Sequence, residues 1–155
     1  MQSFCRGCIF FRKGGEMYYL KTSACFDSAH FLHGYNGKCA NIHGHHWVVE
    51  VKISGEELQG SGEKRGMILD FGDFKKAVKD LAEGFDHTLI YEKNTLNPLT
   101  VSALKEEGFS LVETDFRPTA ENFAAHIYAE LCNKGLPVSC VTVHESPENC
   151  AVYGE

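Results

Sequence analysis

Long apolar runs are absent from this 155-residue chain, and with them any expectation of a transmembrane helix, which needs about 20 consecutive apolar residues. An excess of basic residues is missing too. Against 21 Asp and Glu stand 15 Lys and Arg, a formal net charge of −6, which is the wrong sign for a general nucleic-acid binder. A small anionic substrate is not excluded, because a few local Lys or Arg residues suffice to hold one. Residues 1–16 lack the apolar core and cleavage site of a secretory signal. The seven cysteines are odd in number and irregularly spaced, so a reduced, cytoplasmic protein without a disulfide framework is expected. Cys5-Arg6-Gly7-Cys8 has no second CxxC to complete a zinc knuckle, and Gly14-Gly15 sets it apart. Residues 1–16 therefore read as a dispensable extension, with a redox or metal-scavenging tail as the alternative. No repeat and no second domain are evident, which leaves residues 17–155 as one domain large enough for a real core.

What the chain does have is a concentration of metal ligands. His30 is followed by Cys39, then by His43-Gly44-His45. His43 and His45 precede Trp47-Val48-Val49-Glu50-Val51, which reads as a strand, and residues two apart on a strand share a face. His30 follows a second strand-like stretch, Tyr18 to Phe26, and can close the site from a neighbouring strand. Three imidazoles suit a catalytic zinc that keeps one position open. The local pattern holds no carboxylate or second thiolate, which favours zinc over copper or iron. Cys39 beside a cation reads either as a thiolate base or nucleophile or as a fourth ligand in a closed structural site.

Strands are expected at 17–26 and 46–54, with a polar turn over 55–66 and a short strand at Met67-Ile68-Leu69. A helix capped by Asp70 should run to about Phe85, with Phe74, Ala77, Val78, Leu81 and Phe85 along one buried face. A second helix should follow its cap Thr119, with Phe123, Ile127 and Leu131 on its apolar side, and end near Gly135. Two strands, 138–145 and 150–153, complete the chain. Residues 88–116 form an insert with a possible short helix near Val101–Glu107. The resulting fold is α+β, an antiparallel four-stranded sheet with two helices on one face. Its exposed edges favour assembly of several subunits into a barrel. Cys25, Cys132, Cys140 and Cys150 read as core residues, and His33, His46, His126 and His144 as solvated or satisfied side chains.

Two further groups carry chemistry. Asp86-His87 offers a carboxylate that can fix the tautomer of a proton-carrying imidazole. Glu145 ends a strand, where a carboxylate can accept two hydrogen bonds from an amino-pyrimidinone edge. Taken together, Phe26-Asp27-Ser28-Ala29-His30, Cys39-x3-His43-Gly44-His45, Asp86-His87, Pro118-Thr119-Ala120-Glu121-Asn122 and Val143-His144-Glu145 resemble the 6-pyruvoyl-tetrahydropterin synthase family over about residues 18–155.

The resemblance implies the tunnelling fold, or T-fold, with subunits forming a barrel, usually a hexamer of two stacked trimers. It implies that His30, His43 and His45 hold Zn2+ and that Cys39, Asp86 and His87 are catalytic, with active sites at subunit interfaces. Glu145 would anchor the pterin, with Thr119 and Glu121 near it. By charge and position alone, Lys21, Lys38 or Arg117 are the residues expected to help hold phosphates. Three residues between Cys39 and the HGH motif look like the bacterial 6-carboxytetrahydropterin synthases of the queuosine pathway, whose substrate is 7,8-dihydroneopterin triphosphate. The alternatives are a sibling enzyme making 6-pyruvoyl-tetrahydropterin and a non-catalytic pterin- or purine-binding module.

Overall fold

The computed structural model describes residues 16–154. The CxxC of Cys5 and Cys8, and with it most of the expected extension, lies outside the described residues. A long hairpin is the frame. β1 (Tyr18–His30) and β2 (His43–Gly55) pair antiparallel without slip, from Tyr18 opposite Gly55 to His30 opposite His43. Side-chain alternation divides them into two faces. Phe26, Ser28 and His30 on β1 and Trp47, Val49, Val51 and Ile53 on β2 are buried, whereas Asp27, His46 and Glu50 lie exposed on the other side.

Helices α1 (Phe71–Glu83) and α3 (Ala120–Asn133) cover the buried face. Asp70 caps α1 by accepting from the N–H groups of Gly72 and Asp73 at 2.8 and 3.1 Å, which satisfies two of the donors left free at a helix start. Phe74, Val78 and Ala82 recur at helical spacing and are buried. The same logic holds for α3, where Thr119 accepts from Asn122 N–H at 3.4 Å and Phe123, Ala124, Ile127 and Leu131 face inward. Gly135, at φ 83°, takes the left-handed conformation that ends the helix. Phe123 is central to the core. Its ring meets Phe26, Trp47, Phe85 and Phe116 at centroid distances of 5.0–6.0 Å, and truncating such a side chain to Ala costs about 3–5 kcal/mol.

The sheet departs from the expected four antiparallel strands. It has six, in the order β4 (Leu111–Thr114), β3 (Thr88–Glu92), β1, β2, β5 (Val138–His144), β6 (Cys150–Gly154), and it is mixed. The insert supplies the difference: β3 (Thr88–Glu92), α2 (Pro98–Glu106) and β4 (Leu111–Thr114) form a crossover that adds two parallel strands beside β1. These strands have five and four residues, too short for their alternation to stand out from a loop. A third helix, α2, begins three residues earlier than expected. Asn97 caps it, accepting from Leu99 N–H at 2.9 Å, and Pro98 occupies the first turn, where its missing N–H is no loss.

β5 (Val138–His144) and β6 (Cys150–Gly154) lie on the other side of the hairpin. Met67-Ile68-Leu69 is not a strand. Gln59 N–H donates to the Met67 carbonyl at 3.0 Å, and Ile68 packs against the hydrophobic core as part of a compact loop. Cys25 and Cys150 are exposed rather than core; Cys25 alternates with buried Phe26 on β1 and so lies on the opposite face of the sheet. Among the described residues no helix is long and apolar enough to cross a membrane.

Candidate metal centre and its two clefts

β1 runs four residues beyond Phe26, and this extension places the first histidine. His30 is fully buried opposite His43, while His45 stands opposite Ser28 on the same face. The three rings lie 4.5–5.1 Å apart between centroids. His30 Nδ1 donates to the Pro118 carbonyl at 2.7 Å, and His43 Nδ1 donates to the Asn41 carbonyl at 2.7 Å. A carbonyl only accepts, so the proton of each neutral ring sits on Nδ1 and the lone pair on Nε2. The Nε2 atoms of His30, His43 and His45 are all shut off from solvent without a hydrogen-bond partner. Burial lowers the His30 pKa from the ordinary 6.5 to about 4, with repulsion from His43 and His45 adding to it against the bond to Pro118. Burial also lowers the His45 pKa, opposed by the Glu145 carboxylate. Imidazoles whose Nε2 atoms converge, two of them oriented through Nδ1–H, are what a metal requires.

A carboxylate joins them. Glu145 Oε1 lies 3.6 Å from His30 Nε2 and 3.5 Å from His45 Nε2, and one ligand atom from each of His30, His43, His45 and Glu145 lies within 4.8 Å of the others. Strand register explains its arrival. Glu145 follows the last β5–β2 pair, His144 with Val48, and so falls beside Trp47 on the face that carries the histidines. The absence of a carboxylate from the local sequence pattern was thus a limit of looking locally. An imidazole and carboxylate donor set still suits zinc. Gly44, by contrast, is not demanded by space, since a Cβ there would meet the Ser28 carbonyl at an ordinary 3.4 Å.

Cys39 is half-buried in a short 3-10 turn, Lys38–Ala40, and its carbonyl accepts from Leu32 N–H at 2.8 Å. It is not part of the four-residue ligand group; Glu145 takes that place. Cys39 lines a cleft of about 320 Å³ with Tyr35, Thr119, Glu121, Glu145 and Cys150. The structure thereby brings together four of the residues singled out in the sequence. Arg117 does not point at this cleft as a free cation. Its Nη2 donates to the His33 carbonyl at 3.0 Å, tying the segment before α3 to the loop that carries Cys39. Lys21 lies away from the centre, against Thr22, Ser23 and Glu50.

Asp86 and His87 stand elsewhere. His87 Nδ1 donates to Asp86 Oδ2 at 2.7 Å, Asp27 N–H donates to Asp86 Oδ1 at 2.8 Å, and His87 N–H donates to the Asp27 carbonyl at 2.7 Å. These bonds hold His87 at φ 53°, an uncommon conformation for a residue with a Cβ. The Asp86 carboxylate raises the His87 pKa, while the Asp27 N–H and then His87 hold the Asp86 pKa down. A second pair, which sequence reading passed over, lies alongside: His46 Nδ1 donates to Asp27 Oδ1 at 2.8 Å. His46 and His87 open onto a larger cleft of about 670 Å³, walled by Ile42, Leu104 and Phe109. The metal-ligand group lies between the two clefts, with His45 bordering the larger and Glu145 the smaller.

The family model of 6-pyruvoyl tetrahydropterin synthase matches residues 19–155. The 6-carboxy-5,6,7,8-tetrahydropterin synthase of Haemophilus influenzae is 34% identical over 142 residues, spanning 90% of this chain and all of that protein. The enzyme of the same name from Rickettsia felis is 32% identical over 133 residues, 82% of this chain and 92% of that one. Among solved structures, an uncharacterized protein from Wolinella succinogenes superposes with a TM-score of 0.72 at 20% identity, covering 91% of this chain and 99% of its own. The 6-pyruvoyltetrahydropterin synthase of Plasmodium vivax gives 0.66 at 21% identity, covering 89% and 97%. The α+β architecture, a curled mixed sheet with three helices, is therefore the T-fold of those synthases, and this chain belongs to the 6-pyruvoyl tetrahydropterin synthase family.

Proposed function

We propose that this chain is a zinc-dependent 6-carboxy-5,6,7,8-tetrahydropterin synthase. It converts 7,8-dihydroneopterin triphosphate to 6-carboxytetrahydropterin, acetaldehyde and triphosphate, in the cytoplasm and on the route to queuosine. The observation that carries this reading is the group of three buried, unpartnered Nε2 atoms beside the cleft that holds Cys39. His30, His43 and His45 would hold the zinc, which when bound supplies Lewis acidity toward the oxygen atoms of the substrate side chain.

The protein groups divide the remaining work. Cys39, as thiolate, takes the proton released from the side chain. His87, whose proton affinity is raised by Asp86, carries a second proton. His87 opens onto the cleft other than that of Cys39, and in a barrel-shaped hexamer of two trimers it would serve the centre of a neighbouring subunit. Glu145 accepts hydrogen bonds from the amino-pyrimidinone edge of the pterin, and Glu121 lies on the same cleft wall. The Thr119 hydroxyl caps α3 and so fixes that wall. Five free thiols among the described residues suit a reducing compartment.

The test is a product assay. Zinc-loaded protein is incubated with 7,8-dihydroneopterin triphosphate and the products are identified by mass spectrometry. Carboxytetrahydropterin with acetaldehyde is expected. Pyruvoyl-tetrahydropterin would move the chain to the sibling activity. Absence of turnover, with zinc bound and the oligomer intact, would refute the enzyme assignment for this substrate and favour a pterin-binding module.

A further inference from the structure

The connection between β1 and β2 holds one exposed aromatic ring in a fixed place. Leu32 N–H donates to the Cys39 carbonyl at 2.8 Å, which closes residues 32–39 into a loop. Within it Tyr35 N–H donates back to the Leu32 carbonyl at 3.1 Å, and Gly34 makes the turn in the left-handed conformation, at φ 70°. Arg117 Nη2 pins the same turn through the His33 carbonyl. Tyr35 is nevertheless 49% exposed, and it belongs neither to the core nor to the side chains packed against it. Its ring lies over Gly37. A Cβ at that position would stand 2.6 Å from Tyr35 Cε1 and 3.2 Å from Cδ1, well inside the contact distance of two carbons. Gly37 has extended backbone, with φ 173°, so space for the ring is its one requirement. Among the described residues Tyr35 is the only aromatic side chain lining the cleft of about 320 Å³ that also holds Cys39 and Glu145. A seated ring with a free surface is a platform on which a flat heterocycle stacks.

We propose that Tyr35 binds the face of the pterin ring in the Cys39 cleft, and that Gly37 keeps the phenol ring seated for that contact. Glu145 then reads the edge of the heterocycle and Tyr35 its face. Because Tyr35 and Cys39 share one closed loop, the stacked pterin is positioned relative to the thiol. The contact belongs to the ring and not to the hydroxyl, so it selects flat substrates without reading their substituents. This rests on the pterin reading given above, and the experiment separates the two.

Zinc-loaded wild type, Tyr35→Phe, Tyr35→Leu and Gly37→Ala are each titrated into neopterin, an unreactive pterin, and binding is followed by the fluorescence anisotropy of the pterin. Tyr35→Phe should bind as tightly as wild type. Tyr35→Leu should bind about 5–20-fold more weakly, the lower part of the range for removing an aromatic ring from a stacked base. Gly37 lines no part of the cleft, yet Gly37→Ala should weaken binding to a similar extent by displacing the ring. Zinc content and circular dichroism should be the same in all four proteins, since Tyr35 is in neither the ligand group nor the core. Unchanged affinity in Tyr35→Leu would overturn the proposal, and so would a loss accompanied by lost zinc or altered circular dichroism. Equal losses in Tyr35→Phe and Tyr35→Leu would replace stacking by a hydroxyl contact. Wild-type affinity in Gly37→Ala beside a loss in Tyr35→Leu would overturn the seating role of Gly37. Failure of wild type to bind neopterin would overturn the pterin reading itself, and this proposal with it.

Discussion

Burying a neutral imidazole makes the fold sensitive to acid, and His30 allows the size of that effect to be worked out. Its pKa in the folded chain is about 4 against an ordinary 6.5, and a gap of this size corresponds to about 3 kcal/mol. Because the folded value is the lower one, the unfolded chain binds the proton more readily. The contribution is complete above pH 6.5, falls as the pH drops below that value, and is gone once the pH has passed 4. The chain's one tryptophan is a suitable probe, since Trp47 is fully buried and its ring lies 5.0 Å from that of His30. Urea unfolding of chelator-treated protein would be followed by Trp47 fluorescence at fixed protein concentration from pH 7.5 to 4. The comparison is with His30→Asn, which keeps a donor toward the Pro118 carbonyl and has nothing to titrate. Wild type should lose about 3 kcal/mol more than the variant across that range. His45 titrates in the same direction in both proteins and cancels. Parallel loss in the two proteins would refute the reasoning.

Other perturbations follow from the same geometry. Cys39→Ser should abolish turnover while zinc content, measured by atomic emission, stays unchanged, since Cys39 is not among the clustered ligand atoms; loss of zinc would restore the structural-ligand role. In Asp86→Asn the His87 pKa should fall toward its ordinary value, because Asp86 is the main cause of its rise. Proton NMR titration reads this directly, and an alkaline limb of the pH–rate profile set by His87 should move to lower pH. Arg117→Ala removes the tie to the His33 carbonyl, worth about 1 kcal/mol. It should raise the iodoacetamide alkylation rate of Cys39 while leaving that of the exposed Cys25 unchanged, as read by peptide mass spectrometry.

The long-range order of this fold was legible where periodicity had length to show itself. Thirteen-residue strands and helices of thirteen and fourteen residues repeat their pattern several times, and their caps, Asp70 and Thr119, behave as their chemistry predicts. β3 and β4 do not repeat long enough, and parallel pairing across α2 leaves no turn residues to announce it. The site divides in the same way. His43 and His45 declare themselves by spacing alone. His30 needed β1 to run on through Ser28, a polar residue that is buried and breaks the apolar pattern. Glu145 beside the imidazoles, and the Pro118 carbonyl that orients His30, come from distant parts of the chain, and only strand register and helix packing bring them there. The Asp27–His46 pair lies in plain alternation on adjacent strands, and pairing the two strands in register would have found it.

The β1–β2 hairpin has a consequence for the order in which this protein is assembled. Residues 31–42 are all that separate His30 from its cross-strand partner His43, so the two imidazoles meet by closing one hairpin loop. Loop closure of that length is fast compared with docking of α3 and β5. The His30–His43 pair can therefore meet before Pro118 and Glu145, which belong to later parts of the chain, dock beside it. A divalent cation present from the start would bind the nascent hairpin and bias the search toward the native register. Refolding with zinc should be faster than refolding without it, and zinc added only after refolding should no longer accelerate the process.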